Sequence, residues 1–102
     1  MADKRTELQV KLEELLGSGH VYYQPPTSLK MEYDAIRYSR KTIDMKYANN
    51  SVYTDKDCYK ITVIARKPDH PVIRELLQLP YCSYDTNYIA DNLYHDVLTL
   101  YW

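Results

Sequence analysis

The chain has 102 residues, with 13 Lys and Arg against 14 Asp and Glu and a net charge of -1. This length predicts one small domain spanning residues 1–102 and excludes a separate cofactor domain. The near-neutral balance excludes a strong overall field that would collect nucleic acid or an anionic membrane. No apolar run approaches the roughly 20 residues of a membrane span, and the polar start lacks the apolar core of a secretory signal, so we expect synthesis and residence in the cytosol.

Tyrosine dominates the aromatic residues, with 12 Tyr, 1 Trp and no Phe. Because Tyr combines an apolar ring with a polar hydroxyl, this usage suits half-buried sheet faces and subunit contacts. Ordinary sheet packing is the simpler interpretation, and oligomerisation is the alternative. Cys58 and Cys82 are expected to be thiols in a cytosolic chain.

The first predicted element is an amphipathic helix over residues 3–16, with Asp3 as its cap and Gly17 as its stop. Its apolar stripe consists of leucines at i, i+4, i+7 and i+8, namely Leu8, Leu12, Leu15 and Leu16.

The middle of the chain alternates between loops and strands. Residues 17–29 contain both glycines and the Pro-Pro pair, which predicts a loop, and residues 31–40 predict a strand. Residues 41–57 predict a long charged hairpin-like excursion, and residues 58–66 give the clearest strand. In that strand one face is expected in the core (Tyr59, Ile61, Val63, Ala65) and the other partly in water (Lys60, Thr62, Ile64, Arg66).

The last third predicts a second helix over residues 71–79, capped by Asp69, followed by two strands at 81–89 and 95–102. A turn at Asp91-Asn92 joins these strands. The order predicts an α+β fold in which two helices pack on a mostly antiparallel sheet of about four to five strands.

The residue types that carry chemistry are present but do not form known motifs. The three His and two Cys lack the short spacings of zinc sites, and two glycines are too few for a phosphate loop. The aspartates of the last third are expected as turn formers. We therefore predict no catalytic residue, no cofactor and no metal.

One basic stretch offers a nucleic-acid alternative. Arg37, Arg40, Lys41 and Lys46 alternate with Tyr38 and Tyr47, which is the mixture of cations and aromatic rings that single-strand binders use. Because Glu32, Asp34 and Asp44 interrupt it, a solvated sheet face is the favoured interpretation.

Four motifs resemble a known family, and the resemblance covers residues 21–102. The motifs are YQPP at 23–26, TVIARKPD at 62–69, LPYCSYD at 79–85 and DNLYHDVLTLYW at 91–102. In these motifs the chain is similar to tail-completion proteins of long-tailed bacteriophages, which are also called tail terminator or head-tail joining proteins.

The resemblance implies a structural virion protein and not an enzyme. It implies a tail-terminator-like fold and a homo-oligomeric ring, usually a hexamer, at the junction of tail and neck, assembled in the host cytoplasm. Its implied partners are the tail tube protein and the head-tail connector or stopper protein, while genomic DNA passes through the lumen without specific binding and no membrane is involved. The alternatives are another neck component, such as a head-completion or stopper protein, and a small nucleic-acid-binding module; a small hydrolase is more remote.

A ring requires two different patches on each subunit. Tyr-rich strand faces and the excursion at residues 41–57 are expected to supply them. The predicted oligomer or tube contacts are Ile43, Met45, Tyr47, Asn49 and Asn50.

Overall fold

The computed structural model describes residues 4–41 and 57–102, which form two helices and one sheet of five strands. The helices are α1 (Lys4–Leu16) and α2 (Pro71–Leu77). The strands are β1 (Val21–Tyr23), β2 (Ala35–Arg40), β3 (Cys58–Ala65), β4 (Cys82–Ala90) and β5 (Leu93–Tyr101). The predicted α+β class, with two helices and a mostly antiparallel sheet, is confirmed.

The sheet has the strand order β1-β2-β3-β5-β4. The β1–β2 pair is parallel, and the other three pairs are antiparallel. Strand β1 lies inside the stretch predicted as a loop, so that prediction was wrong for Val21–Tyr23. Three residues are too few to show a strand period, and β1 forms only because the chain returns to lay Val21 beside Ile36 of β2.

Both helices pack on the same side of the sheet, which we call the helix face. On this face lie the residues predicted for the core side of β3 and the residues paired with them on β2 and β5. Together they enclose Leu8 and Leu12 of α1 and Val72 and Leu76 of α2. The opposite side of the sheet, which we call the outer face, is less exposed to solvent than predicted. There Lys60 of β3 is exposed, whereas its neighbours on the same face are buried, namely Thr62 and Ile64.

The ends of the helices show one confirmed prediction and one error. Gly17 adopts a φ of 81° and its N–H donates to the Glu13 carbonyl oxygen at 2.9 Å, so it ends α1 as predicted. The predicted cap of α2, Asp69, is wrong because Asp69 has a φ of 59° and lies one residue too early. His70 is the N-cap, and its Nδ1 accepts a hydrogen bond from the Val72 N–H at 3.1 Å.

Several element boundaries also differ from the prediction. Strand β2 begins at Ala35 and not at residue 31, and α2 ends at Leu77 and not at residue 79. The predicted turn between β4 and β5 is confirmed, with Asp91 and Asn92 at φ values of 52° and 62°. The expected cap Asp3 and most of the predicted excursion, residues 42–56, lie outside the described residues.

Candidate interaction surfaces

The contact residues predicted from the sequence fall in the segment that the structure does not describe. Their placement therefore remains a prediction, and the surfaces below are built from residues 4–41 and 57–102 alone. The residues concerned are Ile43, Met45, Tyr47, Asn49 and Asn50.

The three histidines each contact the surrounding fold. His20 Nδ1 lies 3.3 Å from the Asp34 carbonyl oxygen, and His70 caps α2 while its Nε2 lies 3.6 Å from an Asp34 carboxylate oxygen. His95 stacks on Tyr88 with ring centroids 4.6 Å apart. Within the described ranges no group of three or more His, Cys, Asp or Glu side chains is positioned to hold a metal ion.

The cysteines are both free and half-buried. Burial raises the pKa of the Cys82 thiol, and the nearby Asp85 carboxylate raises it further. A nucleophilic cysteine needs the opposite shift, because the thiolate is the reactive form. Cys82 is therefore a weakly reactive, half-buried packing residue.

Strand β4 forms one edge of the sheet and carries a large share of the exposed apolar surface. It pairs with β5 on one side, and no described strand pairs with its other side. We call its exposed aromatic and aliphatic side chains, together with Tyr81 just before it, the β4 edge. These are Tyr81 and Ile89, each 67% exposed, with Tyr84 and Tyr88 at 40% and 43%.

The β4 edge has little of the protection that edge strands usually carry. The nine residues of strand β4 include no Lys, Arg or Pro, and the single irregularity of the strand is a register shift between Tyr84 and Thr86. At the other end of the sheet β1 has three residues, and the Val21 carbonyl oxygen accepts a hydrogen bond from Gln9 Nε2 at 3.0 Å. The two ends of the sheet are therefore unlike.

A cleft of about 270 Å³ lies on the outer face near the β1–β2 end. We call it the basic cleft, because it contains two cations, Arg37 and Lys60, from adjacent strands. No described carboxylate forms an ion pair with either of them. The remaining wall is uncharged and consists of Gln24, Pro25, Ser39 and Thr62.

Charge is distributed unevenly across the sheet. The charged side chains of β1, β2 and β3 are all basic, namely Arg37, Arg40 and Lys60. Strands β4 and β5 contain Asp85 and Asp96 and neither Lys nor Arg. With Asp91 in the turn between them, this hairpin forms an acidic end opposite a basic end.

The carboxylates of the acidic end are held by neighbouring hydroxyl groups. Asp96 accepts a hydrogen bond from the Tyr84 hydroxyl at 2.5 Å, and this contact raises the pKa of Tyr84. Asp85 accepts one from the Thr99 hydroxyl at 2.5 Å, while Lys41 donates to the same Thr99 oxygen at 3.0 Å. Thr99 thus links Asp85 to Lys41 through two hydrogen bonds, and Asp91 remains exposed.

Sequence reasoning found parts of these surfaces and missed how they combine. It placed Arg37 in a basic set and Lys60 on the outer side of its strand, but did not join them, because the pairing of β2 with β3 is not visible in the sequence. It also did not identify β4 as an edge. One signal was available: after Arg74 the chain contains no further Lys or Arg.

Comparison with known proteins finds no matching family model, no similar curated protein and no similar solved structure. Neither described helix has the length and apolar composition needed to cross a membrane.

Proposed function

We propose that this chain is a structural protein of a bacteriophage virion, a tail-completion protein that forms a ring at the junction of tail and neck. The proposal combines the sequence resemblance over residues 21–102 with one observation on the fold. That observation is the presence of two unlike surfaces, the β4 edge at one end of the sheet and the basic cleft over β2 and β3.

Two unlike surfaces on each subunit are what a head-to-tail contact needs. Such a contact closes into a ring when the rotation per subunit divides a full turn. A domain of this size buries a modest core by itself, so covering the exposed side chains of the β4 edge by a neighbour adds apolar burial. Both points support a chain that is completed by other copies.

The proposed mechanism is steric and interfacial. One face of the ring covers the polymerising end of the tail tube and stops its growth, while the other face presents a different surface to the head-tail connector or stopper protein. The near-neutral net charge of -1 suits a lumen through which genomic DNA slides, because strong phosphate contacts would hold the DNA.

Deleting the coding sequence from the phage genome that carries it tests the proposal. Loss of a tail-completion protein is expected to give tails of uncontrolled length, and complementation with the intact gene should restore a single length. Tails of normal length beside heads that leak DNA would instead indicate a stopper or head-completion protein. Normal infectious particles would refute a virion role.

The basic cleft favours one function of a different class, binding of nucleic acid. Arg37 and Lys60 carry the charge that a phosphate group needs. The acidic hairpin β4–β5 opposes a duplex that extends across the sheet. A gel shift of labelled DNA at low ionic strength, weakened by salt and lost in Lys60→Glu, would support this function.

A further inference from the structure

We infer that the β4 edge of one molecule docks against the basic cleft end of a second copy of this chain, in a heterologous contact. The inference deepens the proposed function, because a ring is the assembly that requires two unlike contacts on every subunit. It names the surfaces that meet.

The first argument is the exposed apolar surface of the β4 edge. Of the large hydrophobic side chains that are exposed, Tyr81, Tyr84, Tyr88 and Ile89 are contributed by this one strand and the residue before it. Tyrosine is enriched in the centres of protein interfaces, where its ring is covered and its hydroxyl keeps a polar partner. A strand with these side chains, and with a backbone edge that no described strand pairs with, therefore has the composition of a contact.

The second argument is charge complementarity. Asp85, Asp91 and Asp96 lie on the hairpin that contains the β4 edge, and no cation lies on that hairpin. Arg37 and Lys60 lie on the outer face of β2 and of the central strand β3, and the described part of the chain offers them no carboxylate partner. Opposite charges on the two surfaces steer association and fix which surfaces meet.

Charge also disfavours the symmetric alternative. Two β4 strands pairing antiparallel across a two-fold axis would place Asp85, the one charged residue of β4, on both of the paired strands. Like charges on directly paired strands are destabilising. Pairing with the β1 edge as a strand is also unfavourable, because β1 has three residues and Gln9 already occupies the Val21 carbonyl oxygen. The contact is therefore made between side chains of the β4 edge and the basic cleft.

The test uses the purified full chain and two variants that each block one surface. Ile89→Lys places a cation on the β4 edge, where it meets the cations of the basic cleft. Arg37→Glu with Lys60→Glu reverses the charge of the cleft. Each variant alone is expected to associate at least about tenfold more weakly than the parent chain in sedimentation experiments. Val10→Lys, on an exposed apolar position of α1, is the matched control and should associate like the parent.

Mixing the two blocked variants gives the decisive readout. A heterologous contact predicts that association returns in the mixture, because the intact cleft of Ile89→Lys meets the intact β4 edge of the cleft variant. If the cleft variant still dimerises alone while Ile89→Lys does not, the contact is symmetric and the inference is wrong. A parent chain that stays monomeric at every accessible concentration also overturns the inference. So does a cleft variant that loses DNA binding while its sedimentation mass stays equal to that of the parent chain.

Failure of the inference and failure of the proposed function are separable. If the variants weaken association as expected but gene deletion leaves normal infectious particles, the contact is supported and the virion role is refuted. Uncontrolled tail length on deletion, with variants that do not alter association of the chain, supports the role and refutes this contact.

Discussion

Replacing Tyr38 with Phe should destabilise the fold, whereas the same replacement at Tyr59 should not. Both rings are buried, with 1% and 0% exposure, and their centroids are 6.0 Å apart. The Tyr38 hydroxyl donates to Gln9 Oε1 at 2.6 Å and accepts from Arg5 Nη1 at 3.2 Å. Burial raises the pKa of Tyr38 although Arg5 acts to lower it, so the hydroxyl stays protonated and able to donate.

The expected magnitude follows from these two hydrogen bonds. A neutral hydrogen bond contributes about 1 kcal/mol to stability, and a hydrogen bond to a charged group contributes somewhat more. Because both bonds are only partly buried, we expect Tyr38→Phe to lower the free energy of unfolding by about 2 kcal/mol. For a domain of this size that loss lowers the melting temperature by about 8 to 16 °C. Urea unfolding followed by circular dichroism should show a lower midpoint with an unchanged slope.

Tyr59→Phe is the matched control. The Tyr59 hydroxyl lies beside the Arg40 guanidinium. The pKa of Arg40 is raised, mainly by this hydroxyl and to a smaller extent by the Asp57 carboxylate. It nevertheless makes no hydrogen bond of acceptable geometry with any described residue. Removing a buried hydroxyl without a partner is close to neutral or stabilising, so the unfolding free energy should change by less than about 0.5 kcal/mol or increase. Equal losses in the two variants, or a larger loss at Tyr59, would refute this assignment of hydrogen bonds.

Three further predictions concern packing, a helix end and a thiol. Leu12→Ala removes a fully buried side chain between α1 and the sheet and should lower the unfolding free energy by about 2 to 5 kcal/mol, measured by urea titration. Gly17→Ala should cost about 1 kcal/mol because φ is 81°, whereas Gly19→Ala, without a positive φ and with open space around it, should cost much less; equal losses would contradict the role of the helix stop. In a Cys58→Ser background, alkylation of Cys82 should still be accelerating at pH 9, because burial raises its thiol pKa above the ordinary value of 9.0; a rate that levels off below pH 8 would contradict this.

Local patterns predicted the helices and the central strand because the relevant signals lie within one turn or one strand. The leucines of α1 repeat at helical spacing, and Gly17 follows the last of them directly. In β3 the alternation from Tyr59 to Ala65 identified the core face correctly. Its outer face was misjudged at Ile64, because burial there depends on chain segments that are distant in sequence.

Sheet order could not be predicted, and the candidate surfaces depend on it. After β3 the chain leaves the neighbouring position in the sheet empty and forms β4 one position further out. It then returns as β5, which fills the position between β3 and β4. The lack of buried positions that distinguishes β4 as an edge strand is visible only in the structure. The basic cleft similarly arises from the register that sets Arg37 opposite Thr62 and Ser39 opposite Lys60.

The charges of the β4–β5 hairpin explain how an exposed edge of this kind is tolerated. A nine-residue edge strand rich in Tyr invites pairing with the same strand of another molecule. Asp85 in β4 and Asp91 in the adjoining turn place like charges on both sides of such a pairing and so oppose it. The same carboxylates attract Arg37 of β2 and Lys60 of β3 in a second copy. One set of charges therefore disfavours indiscriminate edge pairing and favours a directional contact, the property that lets identical subunits close into a ring.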